Sequence, residues 1–157
     1  MHPSLHPLTL ALEVAEKDCE QARRTVVRLQ HQVNAACSQA RQLDDYRRDY
    51  QRRWGDRFRV EGSAPIIQCY QDFMSRLDQA GAQQDAAVQR LQHHLDQALQ
   101  VLRERETRAA SIRKLIERRQ DELTLAAQRQ EQKLTDEQAS RVAWSRRPAT
   151  PGDLALA

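Results

Sequence analysis

Residues 54–66 read WGDRFRVEGSAPI, and this stretch decides the fold, because a regular apolar repeat runs up to it, fails inside it and resumes after it. Between Gly55 and Gly62 no apolar period survives. Ser63 followed by Pro65 then has the form of a helix N-cap with a first-turn proline, where a missing N–H breaks no intrahelical bond. Upstream, Leu8, Leu12, Ala15, Cys19, Ala22, Val26, Leu29, Val33, Ala36, Ala40, Leu43, Arg47, Tyr50 and Trp54 follow one another at alternating steps of three and four. That spacing is a heptad seam, the pattern that winds one helix about another with a left-handed twist. Only Arg47 interrupts it.

Downstream the seam runs Ile66, Tyr70, Phe73, Leu77, Ala80, Gln84, then Val88, Leu91, Leu95, Ala98, Leu102, Arg105, Ala109, Ile112, Ile116, Arg119, Leu123 and Ala126. The step from Gln84 to Val88 is four where three is due. Such a stutter underwinds a supercoil locally, and Gly81 beside it softens the backbone, so the second helix is expected to bend or loosen there. Two long helices joined by a short connection pack as antiparallel neighbours by default. Folding near residue 60 pairs Tyr50 with Tyr70, Leu43 with Leu77, Ala40 with Ala80, Val26 with Leu95 and Leu8 with Ile112, and the stutter keeps both seams in register. The reading is an all-α, antiparallel two-helix coiled-coil hairpin over 5–142. It comprises helix one at about 7–54, a turn at 55–64 and a longer, overhanging helix two at about 65–142. Residues 143–157, with two prolines, a glycine and no period, read as a disordered tail.

Composition agrees. Apolar residues are 39% and aromatics 4% of 157 residues, too little for a thick globular core but enough for one helical seam. The 25 basic and 22 acidic residues are interleaved, which suits solvated helix faces and argues against a nucleic-acid-binding block. Nearly every basic residue is arginine, whose planar fork suits protein contacts. Three widely spaced cysteines, Cys19, Cys37 and Cys69, make neither a zinc signature nor an even-numbered disulfide set, and fit a reducing, cytoplasmic setting. No signal peptide, transmembrane helix or direct membrane insertion is expected.

No catalytic constellation or cofactor site is legible. Ser111 and Lys114 have a serine-x-x-lysine spacing, but on a continuous exposed helix they have no oxyanion hole or third orienting group. His2 and His6 flank prolines, and His93 and His94 point different ways, so none closes a metal site. What stands out is the turn end, where Tyr46, Tyr50, Trp54, Phe58, Tyr70 and Phe73 gather beside Arg47, Arg48, Arg52, Arg53, Arg57 and Arg59. Rings and arginines dominate interface energies. Closure of the hairpin accounts for Trp54 and Tyr70, with cation–π contacts holding arginines. A partner surface accounts for Tyr46, Tyr50 and Phe73. Beyond Ile112, the apolar Leu115, Ile116, Leu123, Leu125 and Ala126 have no partner on the first helix, and read either as a docking stripe or as a site of fraying or self-association.

The opening LTLALEVAEKDCEQA, the LDDYRRDY at the end of helix one and the CYQDFMSRLDQAGAQQ that opens helix two together resemble the FliJ family over roughly residues 5 to 142. The specific part is two tyrosines four apart before the turn, then Tyr-x-x-Phe-x-x-x-Leu-x-x-Ala after it. The resemblance implies a non-enzymatic stalk of the flagellar export apparatus that binds the hexameric export ATPase and the cytoplasmic domain of a membrane export gate, and that handles export chaperones. It further implies a position on the cytoplasmic face of the cell membrane, peripherally associated at the flagellar basal body. The gate-binding surface it implies is Gln39, Leu43, Tyr46, Tyr50, Phe73, Leu77, Ala80 and Gln84. Both chain ends are expected to enter the ATPase ring, through Leu8, Leu12, Ile112, Leu115, Ile116, Leu123 and Ala126. Two alternatives stay open from the residues alone: the equivalent stalk of a virulence-type secretion system, and a structural coiled coil that only oligomerises.

Overall fold

The computed structural model describes residues 2–148. Two long helices carry the chain, α1 at His6–Val60 and α2 at Ala64–Ser145, preceded by a 3-10 turn at Pro3–Leu5. Among the described residues there is no strand. The fold is the all-α antiparallel two-helix hairpin of the sequence reading, with the second helix the longer. Contacts divide it into two units, residues Leu12–Ala110 and the two chain ends up to Ala11 and from Ser111.

Within Leu12–Ala110, every seam position from Leu12 to Trp54 and from Ile66 to Ala109 is buried or half-buried. Most of the buried residues are small, Ala15, Cys19, Ala22, Val33, Ala36 and Ala109, with Leu95 the large exception on the seam. An alanine seam lets two helices approach closely but forgoes the roughly 2 kcal/mol or more that each larger side chain would add. Met74 is buried too. It lies four beyond Tyr70 and three before Leu77, a second route along the same face that the sequence reading passed over for Phe73.

The antiparallel register rests on cross-helix contacts. Gln84 Nε2 donates to the Ala36 carbonyl at 3.0 Å, the register that also sets Ala40 against Ala80. Arg105 Nη1 donates to Asp18 Oδ2 at 2.9 Å, and Arg23 lies 3.6 Å from Glu106. Arg47, the residue that interrupts the first seam, is half-buried with its Nε 2.7 Å from Asp78 Oδ1. The N–H does not aim along that line, so the pair is an ionic contact rather than an aligned hydrogen bond.

The connection is shorter than expected. Helix one does not stop at Trp54 but continues to Val60, and the turn is 61–63 rather than 55–64. The reason is aromatic: Phe58 is four residues after Trp54, packs against it at a tilt with 5.6 Å between ring centroids and meets Tyr70 edge-on at 5.2 Å. Those contacts extend the apolar i,i+4 series by one turn and outweigh the helix-breaking tendency of Gly55. Ser63 does stand at the N-cap, its carbonyl accepting from the Ile67 N–H at 3.2 Å. At the stutter α2 runs through Gly81 as unbroken α-helix.

In the unit of the chain ends, Leu5 is buried, and Ser4 and Leu8 share a groove with Leu115, Arg118, Arg119 and Glu122. Leu115 therefore has intramolecular neighbours, contrary to the sequence reading, because the 3-10 turn adds residues ahead of α1. His2 holds that turn by accepting from the Ser4 N–H through Nδ1, at 3.3 Å. Ile116 and Leu123 are half-buried, whereas residues 124–145 are exposed on every side. Ala143, Trp144 and Ser145, expected in a disordered tail from 143, belong to α2, and the part of that tail from 149 lies outside the described residues. No helix among the described residues is long and apolar enough to cross a membrane.

Candidate functional site

At the turn end six rings form one connected stack. Tyr50 is its hub, with centroids 4.3 Å from Phe73, 5.8 Å from Trp54, 6.1 Å from Tyr46 and 6.4 Å from Tyr70. Trp54 adds Tyr70 at 5.9 Å. These distances suit offset and edge-to-face packing, and such pairs stabilise by about 0.5–1.5 kcal/mol beyond the area they bury. The stack is therefore structural first: Trp54 and Tyr70 close the hairpin, and Tyr50 does so as much as they do. Arg57 lies over the Trp54 ring at 5.5 Å, while Arg48 and Arg53 pair with Asp44 and Asp49 one turn back on their own helix.

Tyr46 differs from the other rings. It touches Phe73 edge-on at 6.4 Å, yet remains 51% exposed at the rim of the stack. With Gln39, Gln42, Leu43 and Gln84 it lines a shallow groove between α1 and α2 that holds no charged side chain. Gln84 reaches across this groove from α2, its Nε2 also donating to Gln39 Oε1 at 3.1 Å. The other side of the same segment is ionic, lined by Asp44, Arg47, Asp78 and Asp85 around Leu43, Leu77, Gly81 and Ala40. One hairpin segment thus carries an uncharged aromatic–amide face and a carboxylate-rich face.

Of the eight residues singled out for one surface, Gln39, Leu43, Tyr46 and Gln84 meet in the uncharged groove. Tyr50 and Phe73 support it from the ring stack, and Leu77 opens onto the ionic side. Ala80 is half-buried in the seam. Sequence reasoning missed Gln42, which is three residues after Gln39 and four before Tyr46. That helical spacing was the available signal.

Of the residues expected to dock at the chain ends, Leu8 and Leu115 share a groove, and Ile112, Ile116 and Leu123 are half-buried. Ala126 is exposed and lines a second groove with Arg129, Gln130, Lys133, Leu134 and Glu137. Leu12 is half-buried within the other unit. Ser111 and Lys114 both lie exposed on α2. Among the described residues no group of three or more His, Cys, Asp or Glu side chains is arranged to hold a metal ion.

No curated protein matches the chain. A family model does: the one described as Flagellar FliJ protein, over residues 4–148. The match takes in both helices, the turn and both groups of surface residues, and so this chain belongs to the flagellar FliJ protein family.

Proposed function

We propose that the chain is a non-enzymatic stalk of the flagellar protein export apparatus, binding the export ATPase hexamer through its chain ends and the cytoplasmic domain of the export gate through the face around Tyr46. Membership in the family implies a component of that apparatus. The more specific roles rest on the geometry of two surfaces. The observation that carries the reading is the exposed, uncharged groove of Gln39, Gln42, Leu43, Tyr46 and Gln84, built on a ring stack that holds it rigid. A large ring at the rim of a preformed groove is the kind of residue that anchors a protein interface.

The second helix beyond Leu123 supports the ring reading in a different way. Residues 124–145 of α2 are exposed all round and carry Leu125, Leu134, Val142 and Trp144 at 48–73% exposure. A helix without cover gains most from a partner that wraps it. Export chaperones remain candidate partners, and work on the cytoplasmic side, peripheral to the membrane, is the setting in which these contacts make sense.

Tyr46→Ala is the sharpest test, because Tyr46 is the least enclosed ring of the stack. It should weaken binding to the gate's cytoplasmic domain at least tenfold, about 1.4 kcal/mol, while leaving helicity and ATPase binding at wild-type levels. Unchanged gate affinity would sink the assignment of this face. Leu115→Glu combined with Leu123→Glu should reduce stimulation of the ATPase and spare gate binding; full stimulation by that variant removes the ring-docking role.

A further inference from the structure

We infer that Gln84 is a positioning residue: it spends its amide hydrogens on α1 so that Gln39 presents its own amide N–H groups to the partner, which must answer with a hydrogen-bond acceptor. The inference rests on the reading of this groove as the gate-binding face and adds the polarity of the contact.

The orientation of both amides follows from chemistry. The Ala36 carbonyl is a backbone oxygen and only accepts, so the Gln84 atom 3.0 Å from it must be the NH₂ nitrogen. The same nitrogen lies 3.1 Å from the Gln39 side chain, which must therefore offer its oxygen. One fixed point on the main chain thus sets two amides that would otherwise each be free to turn over. Gln39 Nε2 is left with two hydrogens and no partner among the described residues, and Gln84 keeps only its oxygen.

Position explains why this residue does it. Gln84 is the seam residue at the stutter, where the next apolar position comes four residues later instead of three. An apolar side chain there could not donate to the Ala36 carbonyl, whereas a long amide reaches it and leaves its far end at the groove wall. The groove contains no charge, so an amide dipole is its main directional feature. The partner group that fits is a neutral acceptor, such as a backbone carbonyl in an extended or helix-end segment, because the groove has no charged side chain to pair with a carboxylate that would lose its water there.

The test is a double-mutant cycle on full-length chain, reading affinity for the gate's cytoplasmic domain. Gln84→Met keeps length and removes the donor; Gln39→Ala removes the presented amide. Each should weaken binding roughly tenfold, the order of one lost interfacial hydrogen bond, and the double variant should be no weaker than either single one within about twofold. Gln84→Glu supplies a second readout: its oxygens force Gln39 to turn and donate inward, so affinity should fall further than in Gln84→Met at equal helicity. Losses that multiply in the double variant, or a Gln84→Met chain that binds like wild type, overturn the positioning role. If Tyr46→Ala also leaves binding unchanged, or the wild-type chain does not bind, the gate-binding reading itself has failed and this inference falls with it.

Discussion

Arg105 shows how a single residue can contradict a repeat and still serve it. On the apolar seam of α2 it replaces a leucine, yet its guanidinium reaches Asp18 on α1 at 2.9 Å. The side chains keep 43% and 32% of their surface in water, so screening holds the pair to no more than about 1 kcal/mol. Its value lies in register, since an apolar seam of alanines tolerates sliding better than a fixed ion pair does. Arg105→Leu should accordingly raise the stability of the hairpin by about 1 kcal/mol in urea unfolding, through added apolar burial. A fall in stability of that size would make the pair itself the stronger term. The sequence placed Arg47 and Arg105 on the seam correctly, but not their partners. With 22 acidic residues spread along the chain, choosing Asp78 and Asp18 requires the register and the side-chain reach together.

At the scale of the helix, the seam was legible because every seam position in the paired region is buried or half-buried, although Met74 is buried beside it. The turn was less so. Gly55 reads as a breaker, but Trp54, Phe58 and Tyr70 pack around one another and carry α1 past it. A ring contact between residues 58 and 70 is invisible to a local pattern. Beyond their own stretch of helix backbone, neither Gly55 nor Gly81 has an atom within 4 Å of where a β-carbon would sit, and both are in helical backbone. Glycine in these places only adds freedom to the unfolded chain. Gly55→Ala and Gly81→Ala should each stabilise by about 0.5–1 kcal/mol in thermal or urea unfolding. A loss at Gly81 would instead mean that the stutter depends on backbone give there. In contrast, Phe58→Ala should let the end of α1 fray, seen as faster amide exchange over 57–60 with no change between residues 15 and 36.

Across the molecule, cover is uneven, and function follows the unevenness. Residues 12–110 bury a continuous if thin seam, while among the described residues α2 beyond Leu123 is exposed throughout. A helix in water gains little from its own hydrogen bonds, so its amides should exchange almost as fast as those of a free peptide unless side chains shield them. Hydrogen exchange on the free chain should therefore grade from slow around Ala15–Ala36 and Val88–Ala109 to fast over 124–145. Saturating with the export ATPase should slow residues 115–126 by at least tenfold and leave the Tyr46 region unchanged; the gate's cytoplasmic domain should do the reverse. Protection of both regions by one partner would mean that the two ends do not divide the work. Protection of neither by a partner that demonstrably binds would move both surfaces elsewhere on the hairpin, because a docked partner must shield the backbone it covers.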